Sequence, residues 1–280
     1  MKKILFLFLI TCFNCNTGNL TVLADLPSVL NEVSGIEIDS KRDLIWMLND
    51  SGNASKIYGL DTKGKIIRTL KIHAKNNDWE DLASDTNGNI YIGDFGNNSN
   101  KRKNLVILKV SKDSLDNSKK IDVERISFYY PNQKKFPPKR KQRHFDCEAF
   151  FYYNDSLYLF TKSREKGNFG KTNLYKIPAS QGNHKAQFIG SFKTCNDLPC
   201  WVTSVDISDD GKQIALLTLN AVWIFSDYKN DDFFNGKVIK YYFDFESQKE
   251  SVCFKNKNTL YITDENVLGK GGNLYEFILN

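Results

Sequence analysis

Glu80-Asp-Leu-Ala-Ser-Asp-Thr-Asn-Gly-Asn-Ile-Tyr-Ile92 is the stretch that decides the fold, because its pattern occurs five times in the 280 residues. It combines a short strand, a polar turn rich in Asn, Asp and Gly, and a second apolar strand. Four further segments can be superposed on it, and they begin at Ser34, Glu148, Thr203 and Glu250. The starts lie about 46 to 68 residues apart, which indicates β-propeller blades of about 40 to 50 residues with two insertions.

Each unit can be completed to four strands from the apolar segments that follow it. The last unit lacks one strand, since only Asn273 to Leu279 remains after its second strand. The segment Leu20 to Ala24, which precedes the first unit, can join the last blade and close the ring without leaving a long exposed edge. The sequence therefore predicts an all-β β-propeller with five four-stranded blades. Six blades would require a further blade inside the second unit, which is too short for one.

The N-terminal residues are predicted to lie outside this fold. We assign residues 1–18 to a signal peptide with a lipoprotein-type N-terminus, and residues 19–280 to a single β-propeller domain. The apolar run Ile4 to Ile10 follows two lysines and is too short to span a bilayer. Leu9-Ile-Thr-Cys12 resembles a bacterial lipobox, and Cys15 is a second candidate for lipidation; a plain cleaved signal peptide is the alternative. We expect a lipoprotein exported to the periplasm or outer membrane, which contacts the membrane only through its lipid.

The cysteines and the charge distribution narrow the chemistry further. An oxidising compartment permits disulfides, and Cys195 and Cys200 flank a turn, so a local disulfide is predicted there. Cys147 and Cys253 fall within predicted strands and are expected to be buried thiols. Much of the net charge of +6 lies between residues 134 and 144. A nucleic-acid-binding domain would show a broader basic face, so no nucleic-acid partner is expected.

Two sets of polar side chains are predicted to meet at one end of the central channel. The first strand of each blade lines the channel and the second strand returns to the same face, so strand starts and strand ends converge there. The strand-start set is Ser34, Glu80, Glu148, Thr203 and Glu250. The strand-end set includes Asn49, Asp50, Asp94, Lys162 and Glu265.

Three glutamates at one structural position require a counter-charge, because like charges at close range raise one another's pKa. A hard divalent cation, for which Ca²⁺ best matches carboxylate and amide oxygens, would supply it. The predicted metal ligands are Glu80, Asp94, Glu148 and Glu250. Two alternatives are open: Lys162 compensates the charge without a metal, or the glutamates accept hydrogen bonds from backbone amides of the neighbouring blade.

The predicted ligand-binding residues surround this metal set. They are Asn49, Asp50, Asp78, Asp146, Lys162 and Glu265, together with Arg143 and His144. The last two end the basic insertion 131–144, which connects an outer strand to the next inner strand and is expected to cross the acidic face. There it would gather an anionic group and present it to the cation; a solvated loop is the alternative interpretation.

Motifs along the chain include Asn49-Asp-Ser-Gly, Asp78-Trp-Glu-Asp-Leu-Ala, Gly93-Asp-Phe-Gly-Asn-Asn, Asp146-Cys-Glu-Ala and Leu157-Tyr-Leu-Phe-Thr-Lys. Together they resemble a group of uncharacterised exported bacterial β-propeller proteins. The chain is more distantly similar to esterase-like phytase and SMP-30/gluconolactonase propellers, which usually have six blades and a divalent metal in the channel. The resemblance implies a metal-binding role for three strand-start and two strand-end residues. They are Glu80, Glu148, Glu250, Asp94 and Asn49; Ser34 and Thr203 interrupt the acidic ring.

Two functions remain open. The first is a binding or scaffold propeller, held at the cell envelope by a lipid and acting as a monomer on a small anionic molecule, a glycan or an envelope protein. The second is a Ca²⁺-dependent hydrolase of phosphate esters or lactones. The chain contains neither a Gly-x-Ser-x-Gly nor a His-Glu-x-x-His motif, which favours the first.

Overall fold

The repeated strand–turn–strand pattern builds five antiparallel four-stranded sheets in the computed structural model, which describes residues 17–117 and 120–280. Blade 1 contains β2 (Val33–Asp39), β3 (Leu44–Asn49), β4 (Lys56–Leu60) and β5 (Ile66–Ile72). Blade 2 contains β6 (Trp79–Ser84), β7 (Ile90–Asp94), β8 (Leu105–Val110) and β10 (Glu124–Tyr129). Blade 3 contains β11 (Asp146–Tyr153), β12 (Ser156–Lys162), β13 (Lys171–Pro178) and β15 (Gln187–Lys193). Blade 4 contains β16 (Val202–Ile207), β17 (Gln213–Thr218), β18 (Ala221–Ser226) and β19 (Lys237–Tyr242).

Blade 5 closes the ring with strands from both ends of the described chain. It contains β20 (Lys249–Asn256), β21 (Thr259–Asp264), β22 (Asn273–Ile278) and β1 (Thr21–Asp25). The inner strands β2, β6, β11, β16 and β20 contact one another in turn around the ring, and β20 returns to β2. The predicted five-bladed propeller and its closure by the N-terminal strand are therefore confirmed.

Two short strands extend blades 1 and 2 in a way that the repeat did not predict. β9 (Lys120–Ile121) pairs in parallel with β5, and β14 (Gly182–Lys185) pairs in parallel with β10. Both lie in the connections of the following blade, so each one covers part of its neighbour's outer edge. The helical segments of the described chain are short: α1 (Lys112–Asn117) and 3₁₀ turns at Ser28–Leu30, Arg140–Gln142, Leu198–Cys200 and Phe233–Asn235.

Buried aspartates, rather than the strand-start glutamates, join the inner strands of different blades. Asp81 is fully buried in blade 2 and accepts hydrogen bonds from the Phe150 amide of blade 3 (3.3 Å) and the Ser204 hydroxyl of blade 4 (3.2 Å). Asp206 accepts one from the Phe254 amide of blade 5 (2.7 Å). The inter-blade bonds that one alternative expected of the glutamates are made here by aspartates: Asp81 follows Glu80 by one residue, and Asp206 follows Thr203 by three.

The inner strands also approach one another closely. A Cβ at Gly35 would lie 2.9 Å from the Leu82 amide nitrogen, so only glycine fits there without a backbone shift. No helix among the described residues has the length and apolar character required to cross a membrane. The predicted signal peptide lies, except for Thr17 and Gly18, outside the described residues.

Candidate functional site

A cavity of about 570 Å³ opens at the end of the channel where the inner strands begin. All five predicted strand-start residues line it: Ser34, Glu80, Glu148, Thr203 and Glu250. Three of the predicted strand-end residues, Asp50, Lys162 and Glu265, line it as well. We call this space the mouth cavity. The repeat therefore identified correctly which ends of the strands meet.

Two basic residues in the mouth cavity are engaged by two buried acids. The Lys162 ammonium lies 3.0 Å from Glu148 Oε2, and the Arg164 guanidinium contacts Glu148 Oε1 (3.1 Å) and Asp146 Oδ2 (2.5 Å). Burial opposes ionisation of Glu148, but the two cations outweigh it and bring the pKa of Glu148 below its ordinary value. Burial and the Glu148 charge raise the pKa of Asp146 to about 8. Sequence analysis missed Arg164, although it follows Lys162 by two positions at the end of β12.

A separate group of acids forms the best candidate for a cation site. Asp50, Asp78 and Glu80 each place one carboxylate oxygen within 4.8 Å of the others. A Cβ at Gly96 would overlap Glu80 Oε1 and lie 2.6 Å from Asp78 Cγ, so glycine at this position makes room for the two carboxylates. Such an acidic triad could hold a metal ion, because hard cations take several carboxylate oxygens. We call these three residues the acidic triad.

Burial and repulsion from neighbouring carboxylates raise the pKa of each carboxyl of the acidic triad. Burial, assisted by the charges of Glu148, Asp50 and Asp78, raises the pKa of Glu80 well above its ordinary value. Burial raises the pKa of Asp50 to about 6 and also raises the pKa of Asp78. A bound cation would reverse these shifts, because it stabilises the ionised form of each carboxyl.

The predicted metal set is corrected by these contacts. Asp94 is 1% exposed; it is engaged by Arg102 (2.8 Å) and by the Asn77 side-chain amide (2.7 Å), and it accepts a hydrogen bond from the Asp78 backbone amide (3.2 Å). Its carboxylate is not among the three whose oxygens lie within 4.8 Å of one another. The charge of Glu148 is neutralised by Lys162 and Arg164. Among the described residues, the predicted set Glu80, Asp94, Glu148 and Glu250 therefore does not form one cation site. The spacing of these acids along the chain could not show that basic side chains form ion pairs with Asp94 and Glu148.

The basic insertion takes a different place from the one expected. Within the described chain, the mouth cavity receives no side chain from residues 131–145, so the insertion lies at its rim and does not cover the acidic centre. His144 contacts Ser163 and Glu165 instead, and burial lowers its pKa. The Arg143 carbonyl accepts a hydrogen bond from the Arg164 amide (2.9 Å), and the Arg143 side chain does not line the mouth cavity. Asn49 is buried behind the cavity wall, where its amide donates to the Val29 carbonyl.

Two further glutamates, Glu250 and Glu265, line the mouth cavity. Burial and the surrounding carboxylates raise the pKa of Glu265 to about 8, while burial raises that of Glu250 to about 7. Gln248 donates to Glu265 (2.6 Å). Thr203 is 3% exposed, and its hydroxyl has no partner among the described residues, so a cavity-lining hydroxyl is available to a ligand.

Trp201 forms the apolar part of the cavity wall together with Pro199 and Leu219, and sequence analysis did not single it out. Lys162 Nζ and the Arg164 guanidinium lie 5.1 and 4.8 Å from its ring centre. The preceding residue, Cys200, is joined to Cys195 in a disulfide, and Cys147 and Cys253 are buried free thiols. The disulfide therefore constrains the turn that carries the tryptophan.

Comparison with known proteins supports the fold and leaves the function open. No protein-family model and no curated protein sequence matches the chain. The PQQ-bound aldose sugar dehydrogenase of Streptomyces coelicolor is 11% identical with a TM-score of 0.50, over 92% of this chain and 97% of that one. A gluconolactonase of Xanthomonas campestris is 12% identical (TM-score 0.48; 89% and 72%). A virginiamycin B lyase of Staphylococcus aureus is 14% identical (TM-score 0.43; 91% and 69%). The structural neighbours are thus distant β-propellers.

Proposed function

We propose that the protein is an exported binding propeller that holds Ca²⁺ at the acidic triad and uses it to bind a small oxygen-rich molecule in the mouth cavity. The observation that carries this proposal is the convergence of Asp50, Asp78 and Glu80 within 4.8 Å. The two cations that line the cavity are already engaged by Glu148 and Asp146. None of the triad carboxylates forms an ion pair with a described residue, so a bound cation would be the direct counter-charge of their ionised form.

The charge of the mouth cavity argues for a cation as the first ligand. Glu250 and Glu265 line the same cavity as the acidic triad, and their raised pKa values show that additional negative charge is unfavourable there, which disfavours a free anion. Ca²⁺ takes six to eight oxygen ligands. Three carboxylates leave positions for oxygens of a second ligand, such as a phosphate or carboxylate group or the hydroxyls of a glycan. We expect the affinity for such an anion to depend on Ca²⁺.

Calorimetric titration with Ca²⁺ tests this proposal. We expect heat with the wild-type protein and none with Glu80→Gln or Asp78→Asn, which remove carboxylate charge with little change in volume. Glu246→Gln is the matched control, because Glu246 lines the same cavity outside the acidic triad. No Ca²⁺-dependent heat with the wild-type protein, or equal loss in the control, would refute a cation site at these three residues.

One observation favours a second candidate, a Ca²⁺-dependent hydrolase of phosphate esters or lactones. Burial raises the pKa of Glu250 to about 7, which suits a general base near neutral pH, and Glu250 lines the cavity of the acidic triad. A screen with aryl phosphates and lactones, with and without Ca²⁺, tests this activity. Turnover that is abolished by Glu250→Gln while Ca²⁺ binding persists would establish it; absence of turnover in the Ca²⁺-loaded protein would exclude it for these substrates.

Placement at the envelope is part of the same proposal. The apolar run and the lipobox-like sequence at Cys12 support export as a lipoprotein to the periplasm or the outer membrane. We propose a monomer that meets a small anionic molecule, a glycan or an envelope protein there. Metabolic labelling with a fatty acid, compared between the wild type and Cys12→Ser and Cys15→Ser, tests the anchor and identifies the lipidated cysteine.

A further inference from the structure

Two adjacent turns at the rim of the mouth cavity carry a concentrated positive charge. The exposed cations are Lys101, Lys103, Lys134, Lys135, Lys139, Arg140 and Lys141. We call them the basic patch. None of them forms an ion pair with a described residue, and the net charge of the whole chain is +6. The seven patch cations exceed in number the net positive charge of the whole chain, so the charge is concentrated in this patch.

The basic patch is a fixed surface, because its two turns are tied together beneath the charges. Asn100 is fully buried; its carbonyl accepts from the Gln133 side chain (2.9 Å), and its side-chain oxygen accepts from the Phe145 amide (3.0 Å). Lys103 Nζ lies 5.0 Å from the ring centre of Phe136. These contacts join the turn at residues 101–103 to the insertion at residues 131–145.

An exposed phenyl ring, that of Phe136, lies among the patch cations. Phe136 is 39% exposed, and the two prolines that follow it restrict the backbone beside it. Exposed aromatic and basic side chains together are typical of surfaces that lie at a lipid interface, where the cations meet anionic headgroups and the ring enters the acyl boundary. A solvated loop needs no exposed phenyl ring, and phosphate-backbone binding alone would use only the cations.

We propose that the basic patch with Phe136 docks onto a membrane surface that contains anionic phospholipid. The insertion leaves β10 and enters β11 at the face of the ring where the mouth cavity opens, and Arg143 contacts the cavity residue Arg164 through its carbonyl (2.9 Å). Docking would therefore turn the mouth cavity towards the headgroups. This contact uses neither the acidic triad nor the candidate lipidated cysteines Cys12 and Cys15, since none of the patch cations belongs to either set.

Co-sedimentation of the full chain with vesicles tests this inference. We compare vesicles of phosphatidylcholine alone with vesicles that also contain about 30% phosphatidylglycerol. The apolar N-terminal run should bind both kinds of vesicle equally, so the difference in binding between them measures the contribution of the anionic lipid. The wild type should show a phosphatidylglycerol-dependent increment that falls as salt is raised, because salt screens exposed charges. Each basic residue near an anionic surface contributes about a fivefold factor in partition.

Two variants with the same net charge separate the basic patch from overall charge. One replaces Lys134, Lys135, Lys139, Arg140 and Lys141 with glutamine. The control replaces five exposed lysines elsewhere on the ring, namely Lys63, Lys65, Lys229, Lys237 and Lys257. We expect the phosphatidylglycerol-dependent increase in vesicle binding to fall at least about a hundredfold in the patch variant and about tenfold or less in the control. Phe136→Ser should weaken binding by about fivefold and leave its salt dependence unchanged.

The result can also overturn the inference. Equal losses in the two glutamine variants would show that net charge, and not the basic patch, drives binding. An increment that is absent in the wild type, or patch-dependent binding to duplex DNA without binding to the vesicles, would exclude a lipid surface as the partner. Thermal unfolding of each variant, expected to match the wild type because the replaced side chains are exposed, confirms that a loss is not caused by unfolding.

Discussion

Replacement of Asp81 tests whether buried aspartates hold the ring together. Its carboxylate accepts three hydrogen bonds: from the Leu82 amide (2.9 Å), the Phe150 amide (3.3 Å) and the Ser204 hydroxyl (3.2 Å). All three donors are buried, so Asp81→Ala would leave each of them without this partner. An unsatisfied buried donor costs about 1–3 kcal/mol.

The net effect is smaller than the sum of these costs. Burial raises the pKa of Asp81 well above its ordinary value, which means that the folded protein already bears a cost for this carboxyl, and alanine relieves it. Ser204 can also rotate its hydroxyl. We therefore expect Asp81→Ala to lower the free energy of unfolding by about 3 kcal/mol, and Asp81→Asn, which keeps one acceptor oxygen, by about 1 kcal/mol.

Guanidinium unfolding followed by tryptophan fluorescence measures this difference. A loss of about 3 kcal/mol corresponds to a fall in Tm of roughly 6–12 °C for a domain of this size. Asp209→Ala is the control, because Asp209 is an exposed aspartate on an inter-strand turn and makes none of these bonds. If Asp81→Ala and Asp209→Ala unfold at the same denaturant concentration, the bonds across the channel do not stabilise the ring.

Three further predictions concern the mouth cavity. Gly96→Ala should abolish Ca²⁺ binding while the Tm without cation stays within a few degrees, because its Cβ would displace the Glu80 carboxylate; unchanged calorimetric affinity would contradict the geometry. Without divalent cations, Tm should fall as the pH rises from about 5 to about 8, because the pKa values of Glu250 and Glu265, about 7 and about 8 in the fold, exceed the ordinary 4.5, so the unfolded chain releases its protons first. A Tm that rises over this range would contradict these shifts, and Ca²⁺ should raise Tm more at the upper end. Reduction of the disulfide should cost about 2 kcal/mol and alter Trp201 fluorescence; an unchanged spectrum would show that the turn is held without it.

The architecture was predictable because each blade is a local unit. Short strands with alternating apolar residues and polar turns repeat at a nearly constant interval, and the second strand must return to the face where the first begins. The alignment of Ser34, Glu80, Glu148, Thr203 and Glu250 alone therefore identified five residues that line one cavity. The alternative of six blades could also be rejected from the sequence, because the second unit is too short to contain a further blade.

The chemistry of the mouth cavity was predictable only in part, because it depends on which side chains reach one another across blades. Asp94 and Glu148 have the residue type of a metal ligand, yet Arg102, Lys162 and Arg164 lie close enough to neutralise them. Such pairings depend on side-chain reach and burial, which leave no periodic signal in the sequence. The same reason explains why Trp201 and the short parallel strands were not foreseen.

What the sequence determined by itself is the ring and the face at which its polar residues gather, since both follow from strand period and strand direction. Only the tertiary structure decided which acids remain without a counter-charge. Lys162 Nζ lies 3.0 Å from Glu148, whereas none of the triad carboxylates forms an ion pair with a described residue. The energy of a charge pair falls as the separation grows, and it is largest where water is excluded.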